Sequence, residues 1–171
     1  MKSVLKALLI GGVILSAAQC GNSGGGSSFD EVVGISAGDG AGEQFTGTFT
    51  VLFEVTSDGC ASETLIGSPT AGTSDSREVV VKHDDGDISF DKIEVKLRGA
   101  LNFNSTFDVG GADIADAGGL EGNVLRTARL TGRFDDINSF EGNGEETYSG
   151  RVNKAGFNCT FSFRVSGIRK A

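Results

Sequence analysis

The sequence predicts an all-β domain: a single antiparallel meander of about eight strands closed into a small barrel. A two-sheet β-sandwich is the alternative, because alternation alone does not separate the two. Three observations carry the prediction. Period-two alternation recurs along the chain beyond residue 44, and no segment shows a helical period of useful length. Glycine reaches 27 residues and phenylalanine 12, while tryptophan is absent and proline occurs once, a mixture suited to short turns between packed strands.

The first strand is the run Phe45-Thr46-Gly47-Thr48-Phe49-Thr50-Val51-Leu52-Phe53-Glu54-Val55, apolar or glycine at odd positions and polar at even ones except Leu52. At roughly 3.3 Å per residue it is a half-buried strand about 36 Å long. Asp58-Gly59 ends it, and residues 61–76 form a small-residue loop containing Pro69. Arg77 to His83 is a valine-rich strand, and the Asp-Gly step within Asp84-Asp85-Gly86-Asp87 turns it into Ile88 to Asp91. Ile93, Val95, Leu97, Gly99 and Leu101 give the apolar face of the next strand, with Glu94, Lys96 and Arg98 opposite. Asn102 or Asn104 turns the chain into Ser105 to Val109, and residues 110–123 read as a glycine- and aspartate-rich loop.

Three long strands follow, Val124 to Phe134, Phe140 to Val152, and the alternating run Phe157, Cys159, Phe161, Phe163, Val165. Glycines 47, 99, 132 and 150 each stand between two apolar residues of inward parity. Repeated inward glycines let a sheet coil tightly enough to close. Eleven of the twelve phenylalanines fall on the apolar parity of a strand and are expected to form the core.

The amino end has a different character. Lys2 and Lys6 precede an apolar run of nine residues, Ala7 to Leu15, which ends at small side chains. This is the three-part pattern of a secretory signal, and it is shorter than the roughly 20 residues of a membrane-spanning helix. Residues 1–19 are therefore expected to be removed. Two cleavage schemes fit: an ordinary cut after Ser16-Ala17-Ala18, or lipidation of the cysteine in Ala17-Ala18-Gln19-Cys20. The latter segment resembles the lipobox of bacterial lipoproteins, with Ala17 where leucine is usual and Gln19 where glycine or alanine is. That resemblance implies a lipidated Cys20 as the first mature residue, a membrane anchor, and, with Gly21 next, sorting to the outer membrane.

Cysteine parity favours lipidation. The chain has three cysteines, and an exported protein with an odd number leaves one thiol to be accounted for. Lipidating Cys20 leaves Cys60 and Cys159, which follow the first long strand and lie in the last, neighbours in a closed meander. A disulfide between them is expected. The Gly/Ser tract from Gly21 to Ser28 suits a flexible tether, extended here to residue 43, so that the β domain runs over residues 44–171.

The whole chain carries a net charge of −8, and losing the two leader lysines takes it to −10. Such acidity argues against nucleic acid and against adhesion to anionic headgroups. The chain shows no cofactor signature and is read as a monomer. First-to-last strand closure resembles the calycin-like barrels of lipocalins over Phe45 to Lys170, with Gly47-Thr48-Phe49 where lipocalins carry Gly-x-Trp.

Candidate chemistry is sparse. Gly34-Ile35-Ser36-Ala37-Gly38 matches the Gly-x-Ser-x-Gly nucleophile pattern without the strand and helix that expose such a serine, so a hydrolase using Ser36 is a remote alternative. Asp84, Asp85 and Asp87, and separately Asp108, Asp113 and Asp116, are oxygen-rich but lack calcium-loop spacing; acidic turns account for them. One histidine, His83, leaves no ligand set for zinc.

The most pointed feature is an inward ion pair. Arg126 and Glu146 sit at apolar-parity positions of consecutive strands. Setting Phe134 opposite Phe140 places Arg126 opposite Tyr148 and Glu146 opposite Ala128, making the two ions diagonal neighbours. Nearby Gly142, Gly144 and Gly150 remove volume from the same wall, and the six residues together mark a candidate ligand pocket. A satisfied ion pair at a barrel end is the plainer reading. The leading function is then a non-enzymatic interaction or structural module of the cell envelope, requiring a lumen filled by phenylalanine. The alternative, a carrier of a small apolar ligand, requires a void. The anchor has its own test: mass spectrometry of the mature terminus should find an acylated Cys20, and an unmodified peptide beginning at Gln19 would refute it.

Overall fold

A computed structural model describes residues 35, 38–60, 70–115, 124–152 and 155–171. The leader, Cys20 and Ser36 lie outside them. The described residues contain eight strands and no helix: β1 (Gly47–Asp58), β2 (Ser74–Asp84), β3 (Asp87–Asp91), β4 (Leu97–Leu101), β5 (Thr106–Ala115), β6 (Val124–Asp136), β7 (Ser139–Val152) and β8 (Ala155–Arg169). Each pairs antiparallel with the next, and β1 also pairs with β8, from Phe49↔Arg169 to Asp58↔Phe161, so the sheet closes into one barrel. The sandwich is thereby excluded. Cys60 and Cys159 are disulfide-bonded, with Cα atoms 5.0 Å apart and 99 residues between them in sequence.

One end of the barrel is packed with aromatic rings. The Phe140 ring lies 5.4 Å from Phe49, 5.5 Å from Phe90, 5.8 Å from Phe107 and 5.3 Å from Phe134, mostly edge-on. Phe45 stacks on Phe134 at 4.1 Å. All six rings are buried. Edge-to-face pairs of this kind add about 0.5–1.5 kcal/mol each beyond the burial of their area.

The same end is covered by residues that composition assigned to the tether. Gly40 N–H donates to Leu101 O (2.8 Å), Asp85 N–H to Gly42 O (3.0 Å) and Phe103 N–H to Asp39 Oδ1 (2.9 Å). Arg169 adds a clasp, donating to Thr46 O (2.8 Å), Gln44 O (2.9 Å) and Ile137 O (2.7 Å) while lying over the Phe49 ring. Ordered backbone contacts with the barrel thus begin upstream of Gln44. His83 is buried in this wall, its ring 5.5 Å from Phe45 and its Nε2–H donating to Asp85 O (2.6 Å).

Three sequence expectations are corrected. The segment from Ile93 to Lys96 is not strand: Lys92 adopts φ 67°, and β4 begins only at Leu97. Residues 110–115 are not loop but the second half of β5, in register with β6 from Gly110↔Arg129 to Ala115↔Val124. Glycine there marks a close approach, since a Cβ on Gly111 would fall against the Lys96 backbone and the Val95 side chain. Phe103 is not core. β4 stops at Leu101, and the turn that follows leaves the Phe103 ring 81 % exposed.

Candidate functional site

Away from the ring cluster the lumen is not filled. A cavity of about 400 Å³ lies toward the end where β1 leads to β2, β3 to β4 and β5 to β6. That volume falls in the range of roughly 300–1,000 Å³ typical of small-molecule sites. Its apolar wall comes from Phe53 and Val55 on β1, Ala128 and Leu130 on β6, Phe161 and Phe163 on β8, and Ile93, Val95 and Leu97 before and at the start of β4. Its polar side is formed by Thr73, Ser74, Asp75, Arg77, Glu94, Glu146 and Tyr148.

The register of β6 on β7 matches the one derived from sequence. Phe134 pairs with Phe140, Arg126 with Tyr148 and Ala128 with Glu146. Arg126 and Glu146 are mostly buried, their side chains 12 % and 15 % exposed, and Arg126 Nε lies 3.7 Å from Glu146 Oε1. Tyr148 O–H donates to the same Glu146 oxygen at 2.6 Å.

The network extends beyond the expected pair. Arg126 Nε and Nη2 donate to the two oxygens of Asp113 (2.8 and 2.5 Å), and Nη1 donates to Glu94 Oε2 (2.6 Å). Arg77 grips Asp75 (Nη2 to Oδ2, 2.6 Å), with Nη1 3.9 Å from Glu94. Asp113 pairs directly with Arg126 across β5 and β6, and Asp108 is held by Arg129 (2.5 and 2.9 Å), so these two of the three carboxylates grouped as a calcium candidate serve arginines; the third, Asp116, lies outside the described residues. Reading Gly110-Gly111 as strand would have put Asp113 opposite Arg126 from sequence. Glu94 carried no such signal, because the bend at Lys92 redirects a side chain that alternation assigned to the outer face.

Gly142, Gly144 and Gly150 do not line this cavity, and Gly144 instead borders a second hollow with Thr131, Asn143 and Phe163. Gly142 and Gly144 are buried and pair with Val165 and Phe163 of β8: a Cβ on Gly142 would stand 2.6 Å from Thr131 O and 3.2 Å from Val165 Cγ2, and one on Gly144 would strike the Phe163 ring. Neighbouring side chains have taken the volume those residues leave. Gly150 is half-buried and outside the lining, and Arg126 stands behind Glu94 and Glu146. Of the six residues singled out, Glu146 and Tyr148 line the cavity. At the cavity β6 contributes the small Ala128 and β4 contributes Leu97, while Phe53, Phe161 and Phe163 form part of its wall.

The electrostatics follow from burial and pairing. Hydrogen bonds to Asp113 hold the Arg126 guanidinium firmly protonated against the cost of its burial. The Tyr148 phenol is pushed well above its ordinary range, first by burial and then by the Glu146 carboxylate. Burial raises the Glu146 carboxyl above the usual carboxylate range, against the opposing pull of Tyr148 and Arg126. Cations and carboxylates are thus paired with one another beside the cavity.

A raised acid gives a definite sign. The stabilising contribution of protonated Glu146 is complete below its unfolded-chain value and is lost as pH rises through the higher folded value. Glu146→Gln keeps an acceptor for Tyr148 and leaves Arg126 its bonds to Asp113 and Glu94. Its melting temperature relative to wild type should therefore rise between about pH 4 and about pH 8. Thermal melts followed by circular dichroism measure this, and a difference that stays flat or falls over that range would contradict the assignment.

No protein-family model matches the chain, and neither a curated protein nor a solved structure matches it.

Proposed function

We propose that the chain is an exported, non-enzymatic barrel of the bacterial envelope, anchored through a lipidated Cys20, that holds a small apolar or amphipathic ligand in the open half of its lumen. The cavity of about 400 Å³ carries this reading, because a module acting only through its surface has no need of an unfilled lumen. Pairing of Cys60 with Cys159 supports the export half: it consumes two of the three cysteines and leaves Cys20 as the odd one. First-to-last closure of an eight-stranded meander agrees with the likeness to calycin-like barrels, on whose architecture a lumenal ligand is natural.

The interaction-module reading has a separate observation behind it. Phe103, Ile137 and Ile168, in or beside the turns of the ring-packed end, are 81 %, 53 % and 67 % exposed. Apolar side chains standing singly are common on soluble proteins, so this is the second reading.

The neutral probe N-phenyl-1-naphthylamine separates the two. Added to the mature domain, it should gain fluorescence saturably with one site per chain. Ala128→Phe, which places a ring in the unfilled part of the lumen, should weaken that binding at least about tenfold, and Val95→Phe, at a second lining position, should do the same. Each variant's melting curve reports whether it has folded. Absence of saturable binding to wild type, or affinity unchanged in the folded variants, would refute the ligand reading.

A further inference from the structure

The polar side of the cavity carries an uneven charge. Among the described residues lining it, Asp75, Glu94 and Glu146 are carboxylates and Arg77 is a cation, so two negative charges remain uncancelled. Arg126 and Asp113, behind them, offset each other. Both guanidiniums are already committed. Arg77 donates Nε and Nη2 to Asp75 Oδ2 (3.0 and 2.6 Å) and lies 4.9 Å over the Phe53 ring, while Arg126 directs its nitrogens to Asp113 and Glu94. An anionic headgroup would have to displace a carboxylate to reach either.

Glu146 is in the opposite condition. Its Oε1 receives the Tyr148 hydroxyl and faces Arg126, but Oε2 accepts no hydrogen bond from any described residue. That oxygen is not one of the buried unpaired atoms; with Glu146 in the lining it remains open to a donor entering the cavity. Aromatic faces flank the position: the Tyr148 and Phe161 rings are stacked at 6.2 Å, and Phe163 continues the wall 6.0 Å from Phe161. Such faces attract cations, most strongly where water is excluded.

We propose that the cavity selects ligands bearing a cationic amine, the ammonium resting against Glu146 Oε2 beside Tyr148 and Phe161 and the apolar body lying among Val95, Leu97 and Leu130. This rests on the reading of the cavity as a ligand site and names the ligand's chemistry. Hydrogen bonding and charge pairing at Glu146 supply the preference for nitrogen, and the apolar wall accommodates the chain without reading its length.

Displacement of N-phenyl-1-naphthylamine by decylammonium, decanol and decanoate, each below its micellar concentration, tests the selection at fixed chain length. Decylammonium should compete at least about tenfold better than decanol, with decanoate weakest, and in Glu146→Gln the ammonium-to-decanol ratio should fall to within about threefold of unity. Decanoate competing as well as decylammonium, or the preference surviving in Glu146→Gln, would overturn the amine selection while leaving the ligand site standing. If neither the probe nor any of the three compounds binds wild type, the ligand reading itself fails and the amine proposal falls with it.

Discussion

The pairing of β1 with β8 is the constraint on which the rest of the molecule depends. Without it the sheet would present two long edges, each a row of unpaired backbone groups open to another chain. With it, inward side chains of the first and last strands are brought together, as Val55 with Phe163 and Phe53 with Val165. This contact spans nearly the whole domain and bears the largest loop-closure cost. The Cys60–Cys159 disulfide is placed against that cost: joining residues 99 apart, it restricts the unfolded chain by an amount worth about 4 to 5 kcal/mol on the chain-entropy account.

Closure creates a lumen, and side-chain volume then divides it. Phe49 at the start of β1, Phe107 at the start of β5, Phe134 near the end of β6 and Phe140 at the start of β7 all fall at the same end of the barrel, where they meet Phe90. Toward the other end the strands supply Val55, Ala128 and Leu130 beside Phe53, Phe161 and Phe163, and these side chains leave a space between them. Ring packing therefore gives a rigid base, and the same closed sheet supports a cup above it. The ions at the cup follow from this geometry: Arg126 and Glu146 hold inward positions where the lumen is open, and each has found partners.

Much of this was legible in the sequence because period two is unforgiving. A slip of one residue would turn every phenylalanine outward, so the alternation fixed inside and outside for the long strands. The turn between Phe134 and Phe140 then set the register that brings Arg126 opposite Tyr148. What alternation could not convey was where a strand gives way to a bend. Gly110 and Gly111 have the composition of a loop yet lie in β5, because the Val95–Lys96 segment crosses close above Gly111. Phe103 kept the right parity past the point where β4 had ended. Glu94 joined the site through a turn at Lys92 that no periodicity announces. Glycine volume was no more legible: a glycine removes volume from its own position, but at Gly142 and Gly144 the Val165 and Phe163 side chains of β8 stand close against it.

The central claim is that one half of the lumen is solid and the other half receives a ligand. Methyl-resolved NMR of the mature domain, labelled at valine, leucine and isoleucine and titrated with N-phenyl-1-naphthylamine, tests it most directly. The account predicts saturable shifts at Val55, Val95, Leu97 and Leu130, which line the cavity, with Val81, Ile88 and Leu101 near the ring cluster unmoved. Shifts confined to the exposed Ile137 and Ile168, or spread through the ring-packed end, would contradict it.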